Sequence, residues 1–154
     1  MTGKFFAQGG LWVLTHNLLS AAVVVLGPAF PGQWHHPASI AAGGVLFLAG
    51  GVLGIAGVRA LGANRSPYPQ PPAHAQLVRT GVYGLVRHPL YGSLILAAVG
   101  WGLLWQSAPA LLTAPILGAV LLAKSRREEE WLCRRFPEYP AYAATTRRLL
   151  PWLY

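Results

Sequence analysis

Two short stretches of the 154-residue chain hold most of the side chains able to do chemistry. One ends in Arg87-His88-Pro89-Leu90-Tyr91-Gly92. Proline suits the first position of a helix, so His88 is expected at a helix N-terminus, where free amide N–H groups and the positive dipole end attract an anion. Arg87, His88 and Tyr91 would add donors to such a site; an Arg/His anchor at a membrane interface with a belt tyrosine explains the same residues equally well. The other stretch, Lys124-Ser125-Arg126-Arg127-Glu128-Glu129-Glu130-Trp131-Leu132, contains three of the four acids. Helical spacing aligns Leu121, Lys124, Glu128, Leu132 and Arg135 in one stripe, so Glu128 faces the side on which the apolar part of its helix is buried. A carboxylate there would hold a cationic ligand group. The alternative is an exposed helix with ordinary Lys124–Glu128 and Glu130–Arg134 pairs, each worth about 0.3–0.5 kcal/mol. An anion site and a carboxylate at one face together suit a zwitterion such as an amino-acid moiety.

Positioning these groups falls to apolar helices. Hydrophobic residues make up 54% of the chain and charged residues only 10%, yet the net charge is +8. Apart from Lys4, every charge lies in 59–87 or 124–148, leaving 5–58 and 88–123 without Lys, Arg, Asp or Glu. Such stretches exclude a soluble single domain and a disordered chain. A bilayer core needs about 17–25 apolar residues per helix, because backbone polar groups in hydrocarbon must be satisfied within the segment. Four runs are available, at about 11–30, 38–58, 90–105 and 110–123, the last two forming a hairpin broken near Gln106-Ser107-Ala108-Pro109. The expected fold is therefore all-α: one polytopic integral-membrane domain over residues 1–154, with about four transmembrane helices and a C-terminal helical segment. The first run is too long for the apolar region of a cleaved signal peptide. The positive-inside rule puts the segments 59–88 and 124–154, with both termini, in the cytoplasm; a bacterial inner or plasma membrane is the expected location. Trp34, Trp101, Trp105, Trp131 and Trp152 fall near span ends, as interfacial anchors do.

Positive-inside topology explains the arginines without a nucleic-acid partner. Gly43, Gly50, Gly54 and Gly57 share roughly one face of the second span, which suits close helix packing or homo-oligomerisation and leaves that choice open. His16 and Asn17, beside Thr15 and near Ser20, are intramembrane polar groups; they serve a function or bond to a neighbouring helix. His35-His36, without nearby carboxylates or thiols, reads as loop polarity, and no metal site is expected. Cys133 has no partner for a disulfide.

Arg87-His88-Pro89-Leu90-Tyr91-Gly92, preceded by Thr80-Gly81-Val82-Tyr83 and followed after the hairpin by Glu128-Glu129-Glu130-Trp131-Leu132, resembles the isoprenylcysteine carboxyl methyltransferase and phospholipid methyltransferase superfamily. Its pattern is RHPxY, a membrane hairpin, EExxL and a Tyr/Arg/Pro tail, here Phe136, Tyr139, Tyr142 and Arg147-Arg148-Leu149-Leu150-Pro151. With the Leu61-Gly62 to Pro67 element the resemblance covers about 59–152, whereas the first two spans are similar only in being hydrophobic. The resemblance implies a membrane methyltransferase using S-adenosylmethionine, in a cytoplasm-facing pocket closed by the C-terminal segment. The chain would be a minimal core of that family. Its cofactor contacts would be Gln76, Leu77, Val78, Tyr83, His88, Pro89, Leu90, Tyr91 and Glu128. His88, Tyr91 and nearby amides would take the carboxylate, Glu128 the ammonium and apolar residues the adenine. Lys124 matches a substrate-binding position where the isoprenylcysteine branch has Arg; Lys is a point charge without a bidentate fork, which turns the assignment away from a prenylcysteine carboxylate.

The expected activity is S-adenosylmethionine-dependent methylation of a lipophilic or membrane-partitioned acceptor: an isoprenylcysteine-like carboxylate, a lipid amine or a small thiol. No catalytic residue is singled out. The rivals are a nicotinamide-dependent membrane reductase of related architecture and a small membrane subunit packed by its glycine face.

Overall fold

The structure, a computed structural model, describes residues 5–6, 8–34 and 36–149. Lys4, His35, Leu150, Pro151 and Trp152, which carry expectations above, lie outside the described residues. Among the described residues the helices are, in order, α1 (Gly10–Ala29), α2 (Pro37–Leu61), α3 (Pro89–Leu104), α4 (Ala108–Arg135) and the short α5 (Tyr139–Thr145), with single 3₁₀ turns at Gly62–Asn64 and Gly81–Gly84. Among the described residues there is no strand, only an isolated parallel bridge between Val86 and Arg147. Proline occupies the first turn of α2, α3, α4 and α5. Its missing N–H falls there among amides that have no partner within the helix.

The expected all-helical membrane architecture is present. α1, α2 and α4 are each long and apolar enough to cross a bilayer. α3 is apolar but has only 16 residues, or about 24 Å of helix. Large hydrophobic side chains stand exposed along the outer faces, among them Leu14, Leu18 and Val25 on α1, Val45, Leu48 and Val52 on α2, and Leu112 and Ile116 on α4. Hydrocarbon is the medium that accommodates such a surface. α4 continues past its charge-free part, 108–123, as one helix to Arg135. Nothing in Lys124–Arg135 breaks a helix until Phe136-Pro137.

α2 packs chiefly on α3, α1 on α4 and less on α3, and α3 on α4, so that α3 and α4 form a packed hairpin and α1 and α2 flank it. The turn between α1 and α2 is pinned to that between α3 and α4 at one end: Gly32 N–H donates to Trp105 O at 3.2 Å and Gln106 Nε2 to His36 O at 3.2 Å. Ser107 caps α4 by accepting from Ala110 N–H, and its hydroxyl donates to Leu26 O at 2.9 Å. The segments 62–88 and 136–149 gather at the opposite end, where Phe5, ahead of α1, packs edge-on to Tyr68 at 6.3 Å. α2 and α3 approach closely through glycine. A Cβ added to Gly50 would lie 2.8 Å from Ser93 O, one on Gly43 2.7 Å from Leu104 N, and one on Gly100 2.5 Å from Phe47 N. The Gly43, Gly50, Gly54 and Gly57 face is thus filled by α3 within the chain. Trp101 differs from the interfacial anchor expected of it. Its Nε1 donates to Val24 O at 3.2 Å, one turn inside the end of α3, so the ring packs between helices.

Candidate functional site

At the charged end, α1, the end of α2, α3, α4 and α5 line a cavity of about 260 Å³ together with the segments 64–88 and 136–138. Ligand cavities run from about 300 Å³ upward, so its size suits one small molecule held closely. Gln76, Leu77, Val78, Tyr83, His88, Leu90, Tyr91, Lys124 and Glu128 all line it. Pro89 does not: it is fully buried at the foot of α3, beside Gly57 of α2.

The loop wall is held from both sides. Asn64 Oδ1 accepts from Gln76 N–H at 2.8 Å, His74 Nε2 bonds Ala63 O at 3.0 Å, and Arg135 donates to Ala73 O. Lys124, only 2% exposed, donates from Nζ to Pro67 O at 2.9 Å and sits 5.2 Å from the Tyr91 ring centroid. The simple i,i+4 pairs are not what forms: Lys124 turns to the loop, Glu130 pairs with Arg127 at 2.5 Å, and Arg134 lies over Trp131.

His88 and Tyr91 stack in parallel, 5.3 Å between centroids and 3° apart, as their i,i+3 spacing at the start of α3 allows. Their donors are already engaged. Tyr91 Oη donates to Glu128 Oε2 at 2.6 Å, and His88 Nε2 meets Glu129 Oε1 at 3.1 Å. The amides before α3 are taken too, Arg87 N–H by Arg147 O at 2.8 Å and His88 N–H by Arg148 O at 2.9 Å. These donors are therefore engaged by the protein's own acceptors. Glu128 keeps the stripe position predicted for it; its Oε1 accepts no hydrogen bond among the described residues.

Glu129, one residue on, does a different job that the sequence reading missed. It binds Arg87 Nε at 2.8 Å, Arg148 Nη2 at 2.7 Å and His88. Burial disfavours its charge, but hydrogen bonds from His88, Arg148 and Arg87 outweigh that and hold its carboxyl below the usual range. Arg87 also donates to Ala143 O at 2.8 Å and to Thr146 O. Tyr142 Oη donates to Tyr83 O at 2.6 Å. Gly92 admits the strand-like tail, since a Cβ there would meet Leu149 O at 2.6 Å. The segment 136–149 is thus strapped across the RHPxY turn and forms a wall of the cavity through Phe136, Tyr139 and Tyr142. The sequence marks Glu129 as the second acid of EExxL, and charge balance points to its job: Arg87 and Arg148 each need an acid, and few exist.

Tyr139 is the group that needs a ligand most. It is 1% exposed, lines the cavity, and its hydroxyl is the buried side-chain polar atom left without a hydrogen bond among the described residues. Buried hydroxyls are seldom left unpaired. Burial pushes Tyr83 and Tyr139 well above the ordinary tyrosine range and Tyr142 up to about 12, so all three remain protonated donors. His16 of α1 also reaches the wall, half-buried, whereas Asn17 is exposed on the outer face of α1. No three His, Cys, Asp or Glu side chains gather as a metal site among the described residues.

Comparison with known proteins agrees with the motifs. The chain is 27% identical over 145 residues to the cobalt-zinc-cadmium resistance protein CzcN of Cupriavidus metallidurans, covering 94% of this chain and 63% of that protein. It is 37% identical over 79 residues to the nickel-cobalt-cadmium resistance protein NccN of Alcaligenes xylosoxydans xylosoxydans, covering 51% of this chain and 37% of that protein. The chain therefore spans less than two-thirds of the length of either relative. The family model for phospholipid methyltransferases matches residues 38–139. It takes in α2, which sequence reading had likened to the family only in hydrophobicity. By this match, which runs from α2 through the RHPxY turn and Glu128 to Tyr139, the chain belongs to the phospholipid methyltransferase family.

Proposed function

We propose that this protein transfers a methyl group from S-adenosylmethionine, held in the cavity at the charged end, to a lipophilic acceptor reached from the membrane. The observation that carries the cofactor reading is the pairing of an unbonded carboxylate oxygen on Glu128 with the orphaned hydroxyl of Tyr139 on one cavity wall. These fit a zwitterionic, hydroxyl-bearing ligand. Glu128 would take its ammonium, Lys124 and Tyr139 offer donors, and Leu77, Val78, Leu90, Leu132 and Phe136 supply apolar surface for a planar base. The bound sulfonium supplies an activated methyl group. In-line displacement on such a methyl needs positioning and exclusion of water more than covalent help. The chain's contribution is accordingly the closed wall: Glu129 and Arg87 hold the tail segment in place, and Lys124 holds the loop.

Calorimetric titration of detergent-purified protein with S-adenosylmethionine and S-adenosylhomocysteine, with NADPH as control, tests this reading. Saturable binding of both adenosyl ligands, weakened by Glu128→Ala in folded protein, is expected. Binding of NADPH alone would transfer the site to the reductase reading.

A further inference from the structure

A second cavity, about 290 Å³, lies farther from the charged end between α1, α2, α3 and α4, lined by Ser20, Val23, Phe47, Ala98, Trp101 and Leu117 among others, and opens to the outer face beside the exposed Val24 and Phe47. Its wall is almost wholly hydrocarbon and aromatic. Leu94 lines both cavities. On α1 the two are one helical turn apart, His16 facing the first and Ser20 the second, with Ser20 Oγ donating to His16 O at 2.8 Å. An apolar molecule in the second cavity would therefore present its head beside His16.

The state of that imidazole follows from its bond. His16 Nδ1 lies 2.6 Å from Trp12 O. A carbonyl oxygen only accepts, so Nδ1 carries the hydrogen, and in the neutral ring Nε2 keeps its lone pair. No partner for Nε2 occurs among the described residues. The other ionisable groups on the wall are Lys124 and Glu128 of α4, His88 and Tyr91 at the start of α3, and Tyr68, Tyr83, Arg87, Tyr139 and Tyr142 of the loops and tail. Of these, Glu128 is bonded to Tyr91 and its free oxygen is assigned to the cofactor ammonium, and the His88 ring is held by Glu129. His16 is the base left over.

We propose that His16 is the general base of the reaction and that the acceptor is an apolar thiol or amine, whose attacking atom must shed a proton. This rests on the methyl-transfer reading. As the thiol's S–H bond breaks, or an N–H bond of the ammonium form in which an alkylamine arrives near neutral pH, the proton goes to His16 Nε2. The electron pair left on the acceptor atom forms the bond to the methyl carbon, while the carbon–sulfonium bond breaks with its pair kept by sulfur. The proton then leaves through the polar cavity to water. A carboxylate acceptor would need no such group.

The test uses the full chain in detergent, with decanethiol and decylamine as acceptors and decanoate and decyl methyl sulfide as proton-free controls. Nitrogen-15 NMR of histidine-labelled protein, with His16→Gln to assign the ring, should show Nδ1 protonated and Nε2 bare, independently of turnover. His16→Gln and His16→Ala should slow methylation of the thiol or amine by about 100-fold or more near neutral pH, within the range for general bases. Binding of S-adenosylhomocysteine should be unchanged. Added imidazole should restore part of the rate to His16→Ala, and with the thiol the deficit should shrink as pH rises through the thiol's own ionisation. Transfer to decanethiol alone or to decylamine alone identifies which acceptor atom is used. An Nε2–H tautomer, undiminished rates, a deficit equal at every pH, or cofactor-binding protein that methylates neither thiol nor amine each overturns the proposal. Failure of the unaltered protein to bind either adenosyl ligand instead overturns the methyl-transfer reading beneath it.

Discussion

The two cavities adjoin at Leu94 and are built from opposite material. The one at the charged end is closed over α1, α3 and α4 by loops, a seven-residue helix and a tail, and it keeps its shape through hydrogen bonds that cross the chain: Lys124 to Pro67, Arg87 to Ala143, Tyr142 to Tyr83. The second one is walled by helices alone, positioned by glycine contacts on one side and by the Leu117 and Leu121 core on the other. A polar site needs directional bonds because each buried donor must find a partner. An apolar site needs only that helices stop short of filling the space between them. Removing an ion should therefore damage the first cavity and spare the second, while changes in volume should do the reverse.

The largest effect is expected at Glu129. Glu129→Ala leaves Arg87, His88 and Arg148 without their shared carboxylate, and breaking a buried ionic cluster in this way costs about 3–5 kcal/mol. Thermal unfolding in detergent should show the loss, and limited proteolysis should cut after Phe136 in the variant before the parent. Because the folded carboxyl is held below its ordinary range, its contribution is complete above about pH 4.3 and fades as pH falls further. Below that pH the parent should lose stability more steeply than Glu129→Gln.

Next is Glu128. Glu128→Gln removes a charged partner worth about 1.5–3 kcal/mol to a bound ammonium, or about tenfold or more in the affinity for S-adenosylhomocysteine. Ala98→Phe, which fills the second cavity, should leave that affinity within about twofold, as separated sites behave additively. Equal losses from both variants would mean that the cavities are one site.

Adjacent glycines on α2 sharpen the contrast at the level of packing. A methyl at Gly50 meets backbone, Ser93 O at 2.8 Å and Ala97 N at 2.9 Å, whereas one at Gly51 meets nothing within 4 Å. Gly50→Ala should cost about 1–3 kcal/mol. Gly51→Ala should be neutral or stabilising by up to about 1 kcal/mol through helix propensity. Denaturation in detergent reads both, and similar losses would place α2 elsewhere.

Tyr139→Phe should have the smallest effect and the most specific one. Removing an unbonded hydroxyl should leave the ligand-free protein as stable as before or slightly more so, while adenosyl-ligand binding weakens by about 0.5–1.5 kcal/mol. Lower stability without lower affinity would mean that the hydroxyl has a protein partner instead.

The helices and the stripe of Lys124 and Glu128 were legible in the sequence because they rest on local patterns: charge-free length, proline in first turns, and a spacing of four along a helix. What was not legible depends on contacts between distant segments. Glu128 and Glu129 are neighbours, yet one faces the cavity and the other the tail, since successive residues on a helix point about 100° apart. The placement of Arg87 and Arg148 around Glu129 tells them apart. The glycine face of α2 looked the same whether it met α3 or another chain, and Trp101 looked like its interfacial neighbours until Val24 O was found to hold it. His16 could be marked as unusual from its surroundings but not assigned, because its bond to Trp12 and its place on the cavity wall are facts of the fold.

An adenosyl site at the charged end is tested most directly by ultraviolet cross-linking of methyl-labelled S-adenosylmethionine to the purified protein, followed by peptide mapping. Label is expected within 76–91 or 124–142, displaced by excess S-adenosylhomocysteine and reduced in Glu128→Gln. Label confined to 37–58 or 108–121, or labelling that excess S-adenosylhomocysteine fails to displace, would contradict the site.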